Sequence, residues 1–101
     1  MAFSRIDKQR RLNLTIDLCD FAGFEYGKGI MFFVVGMNDS GTEFDIVQES
    51  HDKLIDSTTM IDSKGRIFIS KWMENVRQGS CFKITATKGR IHIKMIADED
   101  S

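Results

Sequence analysis

With 101 residues, of which 42% are hydrophobic, the chain can form one domain with a real core, or two very small halves that share one. Its 14 Lys and Arg against 15 Asp and Glu leave a net charge of -1, which excludes a protein that coats nucleic acid by bulk charge. No apolar run is long enough to span a membrane and the first residues lack a signal-peptide profile, so a cytoplasmic chain without membrane contact is expected.

Charge is distributed unevenly along the chain. Residues 5–11 carry Arg5, Lys8, Arg10 and Arg11 against Asp7 alone. Leu12, Leu14 and Ile16 then alternate with Arg11, Asn13 and Thr15, the period of two that marks a half-buried strand. Asp17 is placed to cap a short helical turn holding Leu18, Phe21 and Ala22, with Gly23 to end it. Gly27-Lys28-Gly29 lacks the remainder of any nucleotide-binding motif and reads as a loop. Ile30 to Val35 is rich in β-branched and aromatic residues and reads as the most buried strand. Asn38-Asp-Ser-Gly41 signals a turn, and Thr42 to Val47 is the returning arm of a hairpin, with Phe44 and Ile46 on one face and Glu43 and Asp45 on the other.

Residues 48–57 are polar and acidic and read as a connector. Across 39–56 the chain carries Asp39, Glu43, Asp45, Glu49, Asp52 and Asp56 against Lys53 alone. The pattern then restarts. Thr58 to Ile61 reads as a short strand, Asp62 to Gly65 as a tight turn, Arg66 to Ser70 as a strand, and Lys71 to Val76 as a helical turn presenting Trp72 and Met73. Cys81 to Thr87 and Arg90 to Ile96 form a second hairpin around Lys88-Gly89, with Ile91, Ile93 and Met95 facing the core and Arg90, His92 and Lys94 facing out. Lys83, Lys88, Arg90 and Lys94 make this hairpin basic, and residues 97–101 are an acidic, frayed tail. Cys19 and Cys81 have no partner motif and read as small buried hydrophobes.

The restart is a repeat. Ile6, Asp7, Arg11, Leu12 and Leu14 correspond to Ile61, Asp62, Arg66, Ile67 and Ile69. A motif repeated at wide spacing points to one small β-unit used twice, and two basic β-units suit a pseudo-symmetric binder better than a catalytic cleft. The fold expected is mainly β with short helices, divided as residues 1–47, the connector 48–57, residues 58–96 and the tail 97–101 within one compact domain.

Ile61-Asp-Ser-Lys-Gly-Arg-Ile-Phe-Ile69, followed by Gly79 and Lys88-Gly89-Arg90-Ile91, resembles the SpoVT/AbrB swapped-hairpin family across residues 58–96. The first half resembles it more loosely, and two such units in one chain are similar to the MraZ branch. Arg10 stands where that family's turn has glycine, and Thr15 and Ser70 stand where proline often follows. The resemblance implies a swapped-hairpin (double-split) β-barrel built from two degenerate repeats. It implies in turn a DNA-binding transcriptional regulator that docks paired basic turns on duplex DNA as a homo-oligomer. On that basis Lys8, Arg10, Arg11, Lys64 and Arg66 are the candidate DNA contacts, with Arg11 and Arg66 leading, and Asp7, Asp62 and Gly65 organise the turns. The alternative is a protein-binding module, antitoxin-like or an oligomerisation domain, on the same barrel. A basic surface broken by Glu43, Asp45 or Asp52 would favour it.

Catalysis and metal binding find no such pattern. His51 and His92 lie in no zinc-spaced cluster, and no nucleophile triad or apolar carboxylate pair stands out. Neither enzyme activity nor a cofactor is expected.

Overall fold

The computed structural model describes residues 1–49, 54–69, 76 and 78–96. Among these residues the fold is mainly β: strands β1 (Ala2–Arg5) and β2 (Arg11–Asn13), helix α1 (Ile16–Ala22), then β3 (Met31–Val35), β4 (Glu43–Val47), β5 (Ser57–Met60), β6 (Arg66–Phe68), β7 (Cys81–Thr87) and β8 (Arg90–Met95). The helical turn expected at 71–76, except Val76, and the tail at 97–101 lie outside the described residues, as do His51 and Asp52.

Six strands form one sheet in the order β1-β7-β8-β4-β3-β5, and β2 pairs with β6 in a separate two-stranded ribbon. Both hairpins expected from the sequence are present, β3 with β4 and β7 with β8, and they join through β4 and β8. The leading strand of each half is given to the other half: β1 pairs with β7, and β5 pairs with β3. All these pairings exchange under an approximate two-fold that relates the first half to the second. The ladder does not close into a ring among the described residues. Instead the ribbon lies between the two ends of the sheet, because β1 neighbours β2 and β5 neighbours β6. This places the ribbon across the core from β4 and β8, the centre of the sheet.

One core lies between ribbon and sheet. Leu12 and Ile67 from the ribbon share it with Phe32, Val34, Phe44, Ile46, Phe82, Ile84, Ile91 and Ile93, all fully buried. Burying each such side chain stabilises by about 1.5–3 kcal/mol. Phe24 and Phe32 pack with ring centroids 4.8 Å apart at a tilted angle. The neighbouring Phe33 points to the outer face of β3 and is half-buried there, opposite Val47 and Thr58. Met95 is partly buried against the core that holds Ile91 and Ile93.

Three local readings are corrected. The first strand stops at Asn13 rather than running to Ile16, because Asn13 Oδ1 accepts the Thr15 N–H at 2.9 Å and bends the chain. Thr15, not Asp17, caps the helix: its Oγ1 accepts the Leu18 N–H at 3.3 Å, and Ile16 becomes the first helical residue, 42% exposed. Asp17 sits in the first turn, where a carboxylate complements the helix dipole. Strand β1 had no sequence counterpart. Its inward residues are only Ala2 and Ser4, and it is a strand because it completes the edge of β7.

Candidate nucleic-acid interface

Each repeat builds the same turn before its ribbon strand. In the first, the Asp7 N–H donates to the Arg11 carbonyl at 3.1 Å and the Arg10 N–H to the Asp7 carbonyl at 3.1 Å. In the second, Asp62 donates to the Arg66 carbonyl and Gly65 to the Asp62 carbonyl, both at 3.0 Å. One carboxylate oxygen of Asp7 accepts the N–H groups of Gln9 at 2.9 Å and Arg11 at 2.8 Å, and Asp62 does the same for Lys64 and Arg66 at 2.9 Å each. The other oxygen holds the arginine side chain: Arg11 Nε donates to Asp7 Oδ2 at 3.0 Å, and Arg66 Nε to Asp62 Oδ2 at 2.8 Å.

These bonds shape the electrostatics. Donation from the Arg11 backbone, reinforced by its guanidinium and by Gln9, holds the Asp7 carboxyl below the usual carboxylate range. For Asp62, burial pushes the carboxyl up, but the combined donors from Arg66 and Lys64 outweigh it and the net shift is downward. Both carboxylates therefore stay ionised and cancel one charge of their own arginine. Fixing each guanidinium by Nε leaves its two terminal nitrogens, which have no partner among the described residues, as an oriented donor fork.

The ribbon sets where these forks point. Leu12 pairs with Ile67, Arg11 with Phe68 and Asn13 with Arg66. Because faces alternate along a strand, Leu12 and Ile67 face the core while Arg11, Asn13, Arg66 and Phe68 share the outward face. Lys8 and Lys64 are exposed at the two turns, which stand at opposite ends of the ribbon. An open depression of about 340 Å³ borders the first turn, lined by Asp7, Lys8, Gln9 and Arg11. Arg10 is placed differently. Its guanidinium reaches in and donates from Nη1 to the Val76 carbonyl, so it braces the turn.

Arg10 and Gly65 occupy equivalent places, at φ 62° and +80°. Each offers its carbonyl to the opposite half: Leu14 donates to Gly65 at 2.8 Å and Ile69 to Arg10 at 2.7 Å. A Cβ on Gly65 would stand 3.1 Å from the Thr15 carbonyl carbon, so glycine is needed there for space as well as for φ. Gly27 also touches the second turn, since a Cβ on it would lie 2.9 Å from Ser63 Cα and its N–H donates to the Ile61 carbonyl at 2.8 Å. This contact sets the loop carrying Lys28 against the second turn.

The acidic residues of β4 lie elsewhere. Glu43 and Asp45 are on the outer face of the sheet, across the core from the ribbon, and are balanced in place. Arg90 Nη1 donates to Asp45 Oδ2, His92 Nδ1 meets Asp45 Oδ1, His92 Nε2 lies 3.0 Å from Glu43 Oε2, and Lys94 stands opposite Glu43. They do not interrupt the basic turns.

Asn13 and Phe68 share the ribbon's outward face, and the period of two that makes Leu12 and Ile67 core places each beside an arginine. Among the described residues no His, Cys, Asp and Glu group is arranged to hold a metal, and no helix is long and apolar enough to cross a membrane. Compared with family models, curated proteins and solved structures, the chain matches none.

Proposed function

We propose that the chain is a sequence-preferring DNA-binding regulator of the SpoVT/AbrB swapped-hairpin type, with the two units of an MraZ-like arrangement interleaved within one chain. The observation that carries this reading is the pair of equivalent carboxylate-locked turns that place Arg11 and Arg66 on one outward ribbon face, with side chains 23% and 24% exposed. The exchange of β1 and β5 between the halves supports the swapped fold.

A two-stranded ribbon fits the major groove of duplex DNA, where an arginine fork matches guanine O6 and N7. Lys8 and Lys64, at the ends of the ribbon, reach phosphates on either side and set the register. Holding Arg11 and Arg66 by Nε before DNA arrives lowers the ordering cost of the contact. A net charge of -1 is compatible with this, because the acidic residues of β4 sit on the far side of the core. Self-association would multiply such small contacts into useful affinity.

Fluorescence anisotropy with a duplex from the chain's own upstream region and a scrambled duplex, across a salt series, tests the reading. Preference for the native duplex is expected, with about tenfold weaker binding for Arg11→Ala and for Arg66→Ala. Equal weak binding to both duplexes, indifferent to either variant, would transfer the ribbon to a protein partner. Exposed Met31 and Met60, paired across β3 and β5 on the outer face, are the observation that favours that second reading.

A further inference from the structure

The outward face of the ribbon is symmetric in its arginines and asymmetric in everything else. Under the two-fold, Arg11 exchanges with Arg66, but Asn13 exchanges with Phe68. The register sets Phe68 opposite Arg11 and Asn13 opposite Arg66. One end of the face therefore joins a guanidinium to a phenyl ring, 61% exposed, and the other joins a guanidinium to a carboxamide.

The carboxamide is oriented. Its Oδ1 accepts the Thr15 N–H at 2.9 Å, and an N–H can only donate, so the oxygen is turned to the backbone and the Nδ2 donors are left for a ligand. Phe68 offers the opposite chemistry, an apolar surface with no polar atom. In the major groove these two groups seek different partners. A donor suits purine N7, guanine O6 or thymine O4, whereas a phenyl ring suits the thymine methyl. The two ends are two residues apart along a strand, about 7 Å, which matches about two base-pair steps.

We infer that Asn13 and Phe68 are specificity-determining residues that give the chain a direction on DNA: it recognises an asymmetric duplex site in one orientation, with a thymine under Phe68 and an acceptor-bearing base under Asn13. The inference rests on the DNA-binding reading. Carrying both halves in one chain is what permits it, since two identical halves would present the same residue at both ends.

The test is selection of duplexes from a randomised pool by the wild-type chain and by Phe68→Asn, followed by anisotropy on the selected sites. Phe68→Asn removes an exposed side chain and leaves the Asn13 bond to Thr15 in place, and a thermal melt verifies its fold. The wild type should enrich a site with unlike arms and prefer it about tenfold over a version with one arm mirrored. Phe68→Asn should enrich an inverted repeat and lose most of that preference. Like bases selected under the Asn13 and Phe68 ends of one ribbon by the wild type, or the same unlike arms selected by Phe68→Asn, overturn the inference while DNA binding stands; a symmetric pair of chains still selects unlike arms within each half-site. Enrichment of no duplex sequence by the wild type overturns the DNA-binding reading and the inference with it.

Discussion

Replacing Gly65 by alanine should be among the most damaging single-methyl changes in this chain. Gly65 sits at φ +80°, and an added Cβ would lie 3.1 Å from the Thr15 carbonyl carbon and 3.2 Å from the Ile16 nitrogen. The left-handed conformation alone costs a non-glycine residue about 1–2 kcal/mol. The two contacts are to backbone at the start of α1, which cannot rotate aside. Moving them also strains the Leu14 N–H to Gly65 carbonyl bond, 2.8 Å, that ties the halves together. Losing part of that bond adds about 1 kcal/mol, so Gly65→Ala should lose about 2–3 kcal/mol in all. For a domain of this size that corresponds to a Tm lower by roughly 10–20 °C. Arg10→Gly at the equivalent position is the control. It relieves about 1–2 kcal/mol of strain and gives up a charge-assisted bond to the Val76 carbonyl of about 1.5–3 kcal/mol, so the two partly offset and its loss stays below about 2 kcal/mol. Urea unfolding of both variants reads the difference. A loss under about 0.5 kcal/mol for Gly65→Ala would refute the argument that this turn is wedged against the helix start.

Leu12→Ala and Ile67→Ala should each cost about 2–5 kcal/mol in urea unfolding, and the double variant less than their sum, because the two side chains face each other in one buried pair. The Asp7 and Asp62 carboxyls lie below their usual range, so near pH 4 the unfolded chain binds more protons than the folded one. Their contribution is complete above the unfolded value of about 3.9 and is lost as pH falls through the folded values; thermal melts from acid to neutral pH should show a shallower acid slope for Asp7→Asn with Asp62→Asn. Burial raises the Cys19 thiol to about 11, so a thiol-specific reagent at pH 8 should label the partly exposed Cys81 far faster than Cys19. Asp45→Asn, on the face away from the ribbon, should change duplex affinity less than about twofold, measured by anisotropy.

Much of this arrangement was written in the order of residues. The alternation of Arg11-Leu12-Asn13 and of Arg66-Ile67-Phe68 fixes which side chains go inward, and the two hairpins follow from Asn38 to Gly41 and from Lys88-Gly89. The spacing of Asp7 to Arg11 and Asp62 to Arg66 anticipated a shared turn because a carboxylate four residues before an arginine can reach both its backbone N–H and its Nε. Less visible were features decided at long range. Strand β1 exists through its pairing with β7, about eighty positions away, and Ala2 and Ser4 carry no hydrophobic signal of their own. Arg10 reads as a basic contact, and the sequence does not reveal that its guanidinium donates to the Val76 carbonyl. Thr15 is the local exception: the period of two carries past it, yet the Asn13 side chain two positions earlier supplies the bond that turns the chain into the helix.

Titration of isotope-labelled protein with duplex DNA, followed by backbone amide NMR, shows directly whether the ribbon face is the surface that meets DNA. Shifts confined to residues 7–14 and 62–69, with β4 and β8 unmoved, are expected if the ribbon meets DNA. Shifts centred on Glu43 to Val47 and Arg90 to Met95, or no shifts with any duplex, would contradict it.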